Sequence, residues 1–140
     1  MHRTALIAAA LSAVMLASAA HAAELRVTLH DVRVQTGHIN VALVDGSAGW
    51  DGKAAPVQAR QLAPSGDTAQ VVFEDLPAGD YAVMVTHDEN GNGQFDSNVL
   101  GMPVEGYGFS NNPNVMRKPT FDEARFALPA AGAAIDVTLR

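Results

Sequence analysis

Ala69-Gln70-Val71-Val72-Phe73-Glu74-Asp75-Leu76-Pro77-Ala78-Gly79-Asp80-Tyr81-Ala82-Val83-Met84-Val85-Thr86 is the stretch that decides the fold. Ala69, Val71 and Phe73 alternate with Gln70, Val72 and Glu74, and Tyr81, Val83 and Val85 alternate with Ala82, Met84 and Thr86. Successive side chains of a strand point to opposite faces. A period of two therefore lays one set on a buried sheet face and turns the other outward. Between the runs, Leu76-Pro77-Ala78-Gly79 supplies the proline and glycine that favour a turn. The segment reads as strand, turn, strand.

The same period recurs on both sides. Leu25, Val27 and Leu29 alternate with Arg26, Thr28 and His30, Ile39, Val41 and Leu43 with Asn40 and Ala42, and Ile135, Val137 and Leu139 with Asp136, Thr138 and Arg140. Val57 to Leu62 and Phe121 to Leu128 are weaker strand candidates. Turn signals at Gln35-Thr36-Gly37, Pro64-Ser65-Gly66-Asp67 and Ala130-Ala131-Gly132 separate the runs. Beyond the N-terminus no long apolar stripe follows helical spacing. The expectation is an all-β chain: a single antiparallel sandwich of about seven strands over residues 23–140, without linker or repeat.

Residues 1–22 read differently. Met1-His2-Arg3 is a short positive head, Leu6 to Leu16 an apolar run too short to span a bilayer, and Ala20-His21-Ala22 a small-x-small cleavage pattern. A cleaved signal peptide is expected, leaving 118 residues and a periplasmic or secreted address, with no transmembrane segment in the mature chain. That mature chain carries eight basic side chains against fifteen acidic ones, a net charge of −7. Such a surface lacks the basic stripe that neutralises phosphates, so nucleic acid is not an expected partner. The sequence has no cysteine, which excludes disulfides, thiolate metal sites, a Cys nucleophile and a lipid anchor on Cys.

Two irregular stretches interrupt the strands. Gly46 to Pro56 carries Trp50, the sole tryptophan, and Asp88 to Pro119 is long and rich in Gly, Asn and Pro. Loops of that length in a small domain are usually functional or disordered, and Phe95, Tyr107 and Phe109 argue against disorder. The sharpest motif is Asp88-Glu89-Asn90-Gly91-Asn92-Gly93-Gln94-Phe95-Asp96. Oxygen-bearing side chains stand at its first, third, fifth and ninth positions, as in the start of an EF-hand loop. Calcium is the cofactor this suggests, held by Asp88, Asn90, Asn92, the Gln94 carbonyl and Asp96. The twelfth position, which calls for a bidentate Glu, is Val99, so affinity is expected to be weak. The competing reading is a metal-free hairpin turn, since Asn90-Gly91 and Asn92-Gly93 favour positive-φ turns without any ion. His87 raises a transition-metal alternative, but no second His stands at a matching spacing.

Glu105-Gly106-Tyr107-Gly108-Phe109-Ser110-Asn111-Asn112 is the second candidate. Trp50, Glu105, Tyr107, Phe109 and Asn111 could form a ligand- or partner-binding loop. The plainer alternative has Tyr107 and Phe109 plugging one end of the sandwich, Trp50 as a half-buried lid and Asn111 in a turn. For catalysis, Ser110 lacks the G-x-S-x-G context, and Glu105 pairs with Asp122 or Glu123 only if the fold unites them. Loop carboxylates are expected to be solvated.

The turn, the His87-Asp88-Glu89-Asn90-Gly91-Asn92-Gly93 run, Asp96, Gly101, Pro103 and the Glu105–Asn112 stretch together resemble the bacterial family catalogued as domain of unknown function 2141. The Leu76–Tyr81 corner is similar to that of transthyretin-like and Cna-B-like sandwiches. The resemblance spans Leu25 to Leu139 and implies an exported, immunoglobulin-like sandwich, with no activity attached. The functional expectation is a non-enzymatic exported module with a weak calcium loop, binding an envelope protein or small ligand; a purely structural envelope role fits equally. The alternative is a small periplasmic hydrolase using His87 and the loop carboxylates.

Overall fold

The computed structural model describes residues 22–140; the expected signal peptide lies outside the described residues except for Ala22. Strand β1 (Ala23–His30) follows its alternation, with Leu25, Val27 and Leu29 fully buried and Glu24 and Arg26 exposed. β2 (His38–Val44) precedes a one-turn helix α1 (Ser47–Trp50), then come β3 (Gln58–Leu62), β4 (Ala69–Leu76) and β5 (Gly79–Asp88). β6 (Tyr107–Phe109), helix α2 (Phe121–Ala124), β7 (Phe126–Leu128) and β8 (Ala133–Thr138) complete the chain.

Two sheets result. One has the order β4-β1-β8, the other β3-β2-β5-β6, with β7 pairing the start of β5. The all-β sandwich is as the alternation predicts, with eight strands among the described residues rather than about seven. One pairing departs from the antiparallel expectation: β1 and β8 run parallel, Val27 opposite Ile135 and Leu29 opposite Val137. Parallel neighbours need a crossover. Here everything between β1 and β8 is that crossover, because the first and last strands of the described residues pair with each other.

Phe121 to Leu128 is half helix, a second departure. Thr120 caps α2, accepting from the Glu123 N–H while the Glu123 carboxylate accepts from the Thr120 N–H. The Thr-x-x-Glu capping box was visible in the sequence and outweighs the weak strand pattern.

Between the sheets, Leu25, Leu29, Phe73, Ile39, Leu43 and Val83 form one core. Tyr81 enters it with its ring while its hydroxyl donates to the Pro77 carbonyl at 2.6 Å, tying strand to turn. Burial, then the charge of Asp45, raises that phenol above its ordinary value. A second cluster of Val44, Trp50, Ala82, Phe109 and Ala124 lies on the other face of β5. β5 thus buries both faces, Val83 and Val85 inward and Ala82 outward.

Candidate functional site

Alternation along β5 sends His87 to the inner face, where it is fully buried, and Asp88 to the outer face. The chain then enters the Asp88–Asp96 turn. The Asp88 carboxylate accepts from the N–H groups of Asn92 (3.2 Å) and Gly93 (2.8 Å). Asn90 and Asn92 each donate a side-chain amide to Asp96 Oδ2 at 2.8 Å, while their own oxygens accept from Asn92 N–H (3.1 Å) and Gln94 N–H (2.9 Å). Three of the four side chains named from spacing therefore meet at one carboxylate oxygen. Asp88 closes the loop from the backbone side, and Gly91 and Gly93 take the positive φ that the turns require. A small cavity of about 100 Å³, lined by Asn40, Thr86, Asp88, Gly93, Gln94 and Phe95, opens beside it.

Residues not read from the sequence as part of the calcium set anchor this turn. Glu105 is buried, not solvated, and its carboxylate accepts from the N–H groups of Glu89 (3.1 Å) and Asp96 (2.9 Å). Glu89 in turn accepts from the Gly106 N–H (3.1 Å) and from the Arg33 guanidinium (2.6 Å). Burial opposes ionisation of Glu89, but the Arg33 hydrogen bond and charge and the Gly106 N–H outweigh it and hold the carboxyl below its ordinary value. Thr36 donates to the Glu89 carbonyl at 2.8 Å. Gly37, at φ 70°, packs against Asp88 so closely that a Cβ there would collide with its carbonyl. Arg33, Thr36 and Gly37 come from the β1–β2 connection, over fifty positions from the turn, so no local pattern could announce them.

The second candidate loop separates into parts. Trp50, Tyr107 and Phe109 do come together, in a ladder with Phe95 and Phe121 whose successive ring centroids lie 5.6–6.5 Å apart. The ladder covers the outer face of β5 and β6; it does not plug an end of the sandwich. Trp50 is no half-exposed lid but only 3% exposed, and its indole N–H donates to the Pro119 carbonyl at 2.8 Å. Glu105 belongs to the turn, and Asn111 donates away from both, to the Arg125 carbonyl at 2.6 Å. Gly108 is required by packing: a Cβ there would meet Val137 Cγ1 at 2.8 Å and the Thr138 carbonyl at 2.9 Å.

Chemically, the turn offers two carboxylates and two amides. Among the described residues, no group of three or more His, Cys, Asp or Glu side chains is placed to hold a metal ion. His87 Nε2 lies 2.8 Å from the Thr36 carbonyl, and since a carbonyl only accepts, Nε2 carries the hydrogen. Nδ1 is then a buried lone pair with no hydrogen-bond partner. Ser110 is committed to structure, accepting from the Val83 N–H (2.8 Å) and donating to the Ala124 carbonyl (2.6 Å). Glu105 and Glu123 serve separate partners, Glu105 the N–H groups of Glu89 and Asp96 and Glu123 the Arg117 guanidinium at 2.8 Å.

Fold and loop together define a two-sheet β-sandwich with an elaborate acidic turn at one end of its central strand. The chain belongs to the bacterial family of domain of unknown function 2141 (DUF2141), described as an uncharacterized protein conserved in bacteria, whose profile matches residues 27–136. No curated protein and no solved structure matches the chain.

Proposed function

We propose that this protein is an exported, non-enzymatic binding module of the bacterial envelope whose Asp88–Asp96 turn takes a calcium ion weakly. The observation that carries the reading is the meeting of the Asn90 and Asn92 amides at Asp96 Oδ2, each at 2.8 Å. An ion would replace those two amide hydrogens. Half a turn of each amide presents its oxygen instead, at the loss of the hydrogen bonds those oxygens accept at 3.1 and 2.9 Å. That loss and the absence of a bidentate Glu at Val99 fit a dissociation constant of about 10⁻⁴–10⁻³ M. The Gln94 carbonyl would complete the set.

The test is a thermal melt with and without calcium. At a dissociation constant of about 0.1 mM, about 10 mM calcium stabilises by about 2.7 kcal/mol. Magnesium, which gives up its water reluctantly, should do far less. Asp96→Ala should abolish the calcium shift, and Val99→Glu should enlarge it. A wild-type melt unmoved by calcium reduces the turn to a hydrogen-bonded hairpin. Export is tested separately: N-terminal sequencing of the mature protein should begin at Ala23.

A small periplasmic hydrolase is the second reading, and the unpartnered Nδ1 of His87 is the observation in its favour, since a free lone pair suits a general base. Against it, Asp88 and Glu105 both point their oxygens at backbone N–H groups of the loop, leaving neither free to orient the imidazole. Hydrolysis of ester or peptide probes that disappears in His87→Gln would favour the enzyme.

A further inference from the structure

The Asp88–Asp96 turn holds two Asn-Gly pairs, Asn90-Gly91 and Asn92-Gly93, and the fold treats them differently. Each asparagine folds its side-chain oxygen onto the backbone two residues on, Asn90 onto the Asn92 N–H (3.1 Å) and Asn92 onto the Gln94 N–H (2.9 Å). The ring closed by such a bond contains both the side-chain amide carbon and the nitrogen of the following glycine, so it folds the carbon back toward that nitrogen. Both glycines have positive φ and open space where a Cβ would stand. The difference is at the nitrogen. Gly93 N–H donates to Asp88 Oδ2 at 2.8 Å, whereas Gly91 N–H has no acceptor among the described residues.

A free backbone nitrogen beside an exposed asparagine amide is a nucleophile with nothing to hold it back. We infer that Asn90 is a modification site: it deamidates by attack of the Gly91 nitrogen, while Asp88 protects Asn92. The Gly91 nitrogen gives its proton to hydroxide and bonds to Asn90 Cγ. Charge then collects on Asn90 Oδ1, where the Asn92 N–H already donates. The Cγ–Nδ2 bond breaks, Nδ2 takes a proton from water and leaves as ammonia, and a succinimide ring remains. Water opens the ring. Breaking the bond from the Gly91 nitrogen to Cγ leaves aspartate. Breaking its bond to the Asn90 main-chain carbonyl carbon leaves isoaspartate, whose backbone runs through Cβ and Cγ. One water enters and one ammonia leaves, and nothing is oxidised or reduced.

Two nearby asparagines show what the reaction requires. At Asn92 the attacking nitrogen would have to give up a hydrogen held by the Asp88 carboxylate. That breaks a charge-assisted hydrogen bond and sets a second negative charge beside the first. Asn98 also folds its oxygen onto the N–H two residues on, that of Leu100 at 2.9 Å, and the Val99 N–H has no acceptor among the described residues. Val99 is β-branched, however, and crowds its own nitrogen. Of the three, Asn90 alone combines a free nitrogen with a glycine. The consequence falls on Asp96, whose Oδ2 accepts from the Asn90 amide at 2.8 Å. Either product turns that donor into a carboxylate facing a carboxylate, and isoaspartate also lengthens the main chain inside the turn. The reaction stands independently of calcium.

The experiment incubates the full chain, as purified from expressing cells, with a chelator in ammonia-free buffer at mildly alkaline pH. Fragmentation mass spectrometry then locates the mass gain of amide-to-acid conversion and any isoaspartyl linkage. Chain unfolded in guanidinium chloride is incubated alongside. In the native protein Asn90 should convert roughly tenfold or more faster than Asn92, the rate equivalent of one charge-assisted hydrogen bond. Isoaspartate should be found at position 90. In denaturant, where each asparagine simply precedes a glycine, the two rates should come close together. Asp88→Ala should raise the Asn92 rate toward that of Asn90, and an Asn92 rate unmoved by it overturns the protection by Asp88. Equal native rates in the wild type, or a faster Asn92, overturn the proposal. So does a native chain that keeps Asn90 intact while the unfolded chain converts it. Acid at position 90 without isoaspartate overturns it too, because water would then have hydrolysed the amide directly.

Discussion

The backbone N–H of Glu89 donates to the Glu105 carboxylate at 3.1 Å, and the N–H of the next residue, Gly106, donates back to Glu89 Oε1 at 3.1 Å. Two acidic side chains therefore clamp the two ends of one loop, Glu105 accepting from the Glu89 backbone and Glu89 from that of Gly106. Carboxylates accepting N–H bonds are strong acceptors, and the arrangement closes the loop and its turn onto β5.

Glu105→Ala strands the N–H groups of Glu89 and Asp96. Both donors are only partly buried, so the loss should fall toward the lower end of the cost of an unsatisfied donor, about 1–3 kcal/mol in all in a urea melt. Glu105→Gln, which keeps one acceptor oxygen, should lose roughly half as much. Amide exchange should accelerate first at Glu89 and Asp96. Unchanged exchange there would remove the clamp from the description of the loop.

Gly108→Ala should destabilise by about 1–3 kcal/mol through overpacking. The added methyl meets Val137 Cγ1 at 2.8 Å, but also the Thr138 carbonyl at 2.9 Å, and backbone cannot step aside as a side chain can. Denaturant unfolding of this variant beside Gly91→Ala separates two causes. At Gly91 there is open space and only the positive φ of 70° to oppose the change.

The Arg117 guanidinium, helped by the Thr120 N–H, holds the Glu123 carboxyl well below the usual carboxylate range, at about 2. Its folded value lies below its unfolded one, so its contribution to stability is complete above the ordinary carboxylate value. That contribution is lost as the pH falls toward about 2. An NMR titration of the Glu123 carboxyl carbon should show a midpoint near about 2, moving upward in Arg117→Ala. A midpoint at the ordinary value in the wild type would refute the pairing.

Tyr81→Phe should cost about 1 kcal/mol, the worth of its hydroxyl's bond to Pro77. Val83→Asp should cost several-fold more, because Val83 is fully buried between the sheets and a carboxylate there has no partner. Comparing the two melts distinguishes a corner that adds stability from a core position that decides folding.

The sequence by itself determined that this is an all-β domain with its inner faces at Leu25, Val27, Ile39, Val41, Val83 and Val85. Alternation is local: a strand's two faces are written in neighbouring residues, and burial of one face follows from hydrophobicity alone. The Asp88–Asp96 turn was legible for the same reason, because Asn-Gly pairs and short acidic side chains make their bonds within a few residues. Only the tertiary structure decided what depends on distant partners. The parallel pairing of β1 with β8, the Arg33–Glu89 bond, the burial of Glu105 and the space limit at Gly108 each join segments from separate parts of the chain. Glu105 looked like a solvated loop acid because sequence records that a residue can be charged, while its environment is set by which backbone N–H groups the fold brings to it. Trp50 and Phe109 were legible as aromatic, but their stacking on the outer face of β5 was not: it required knowing that β5 is central and covered on both sides.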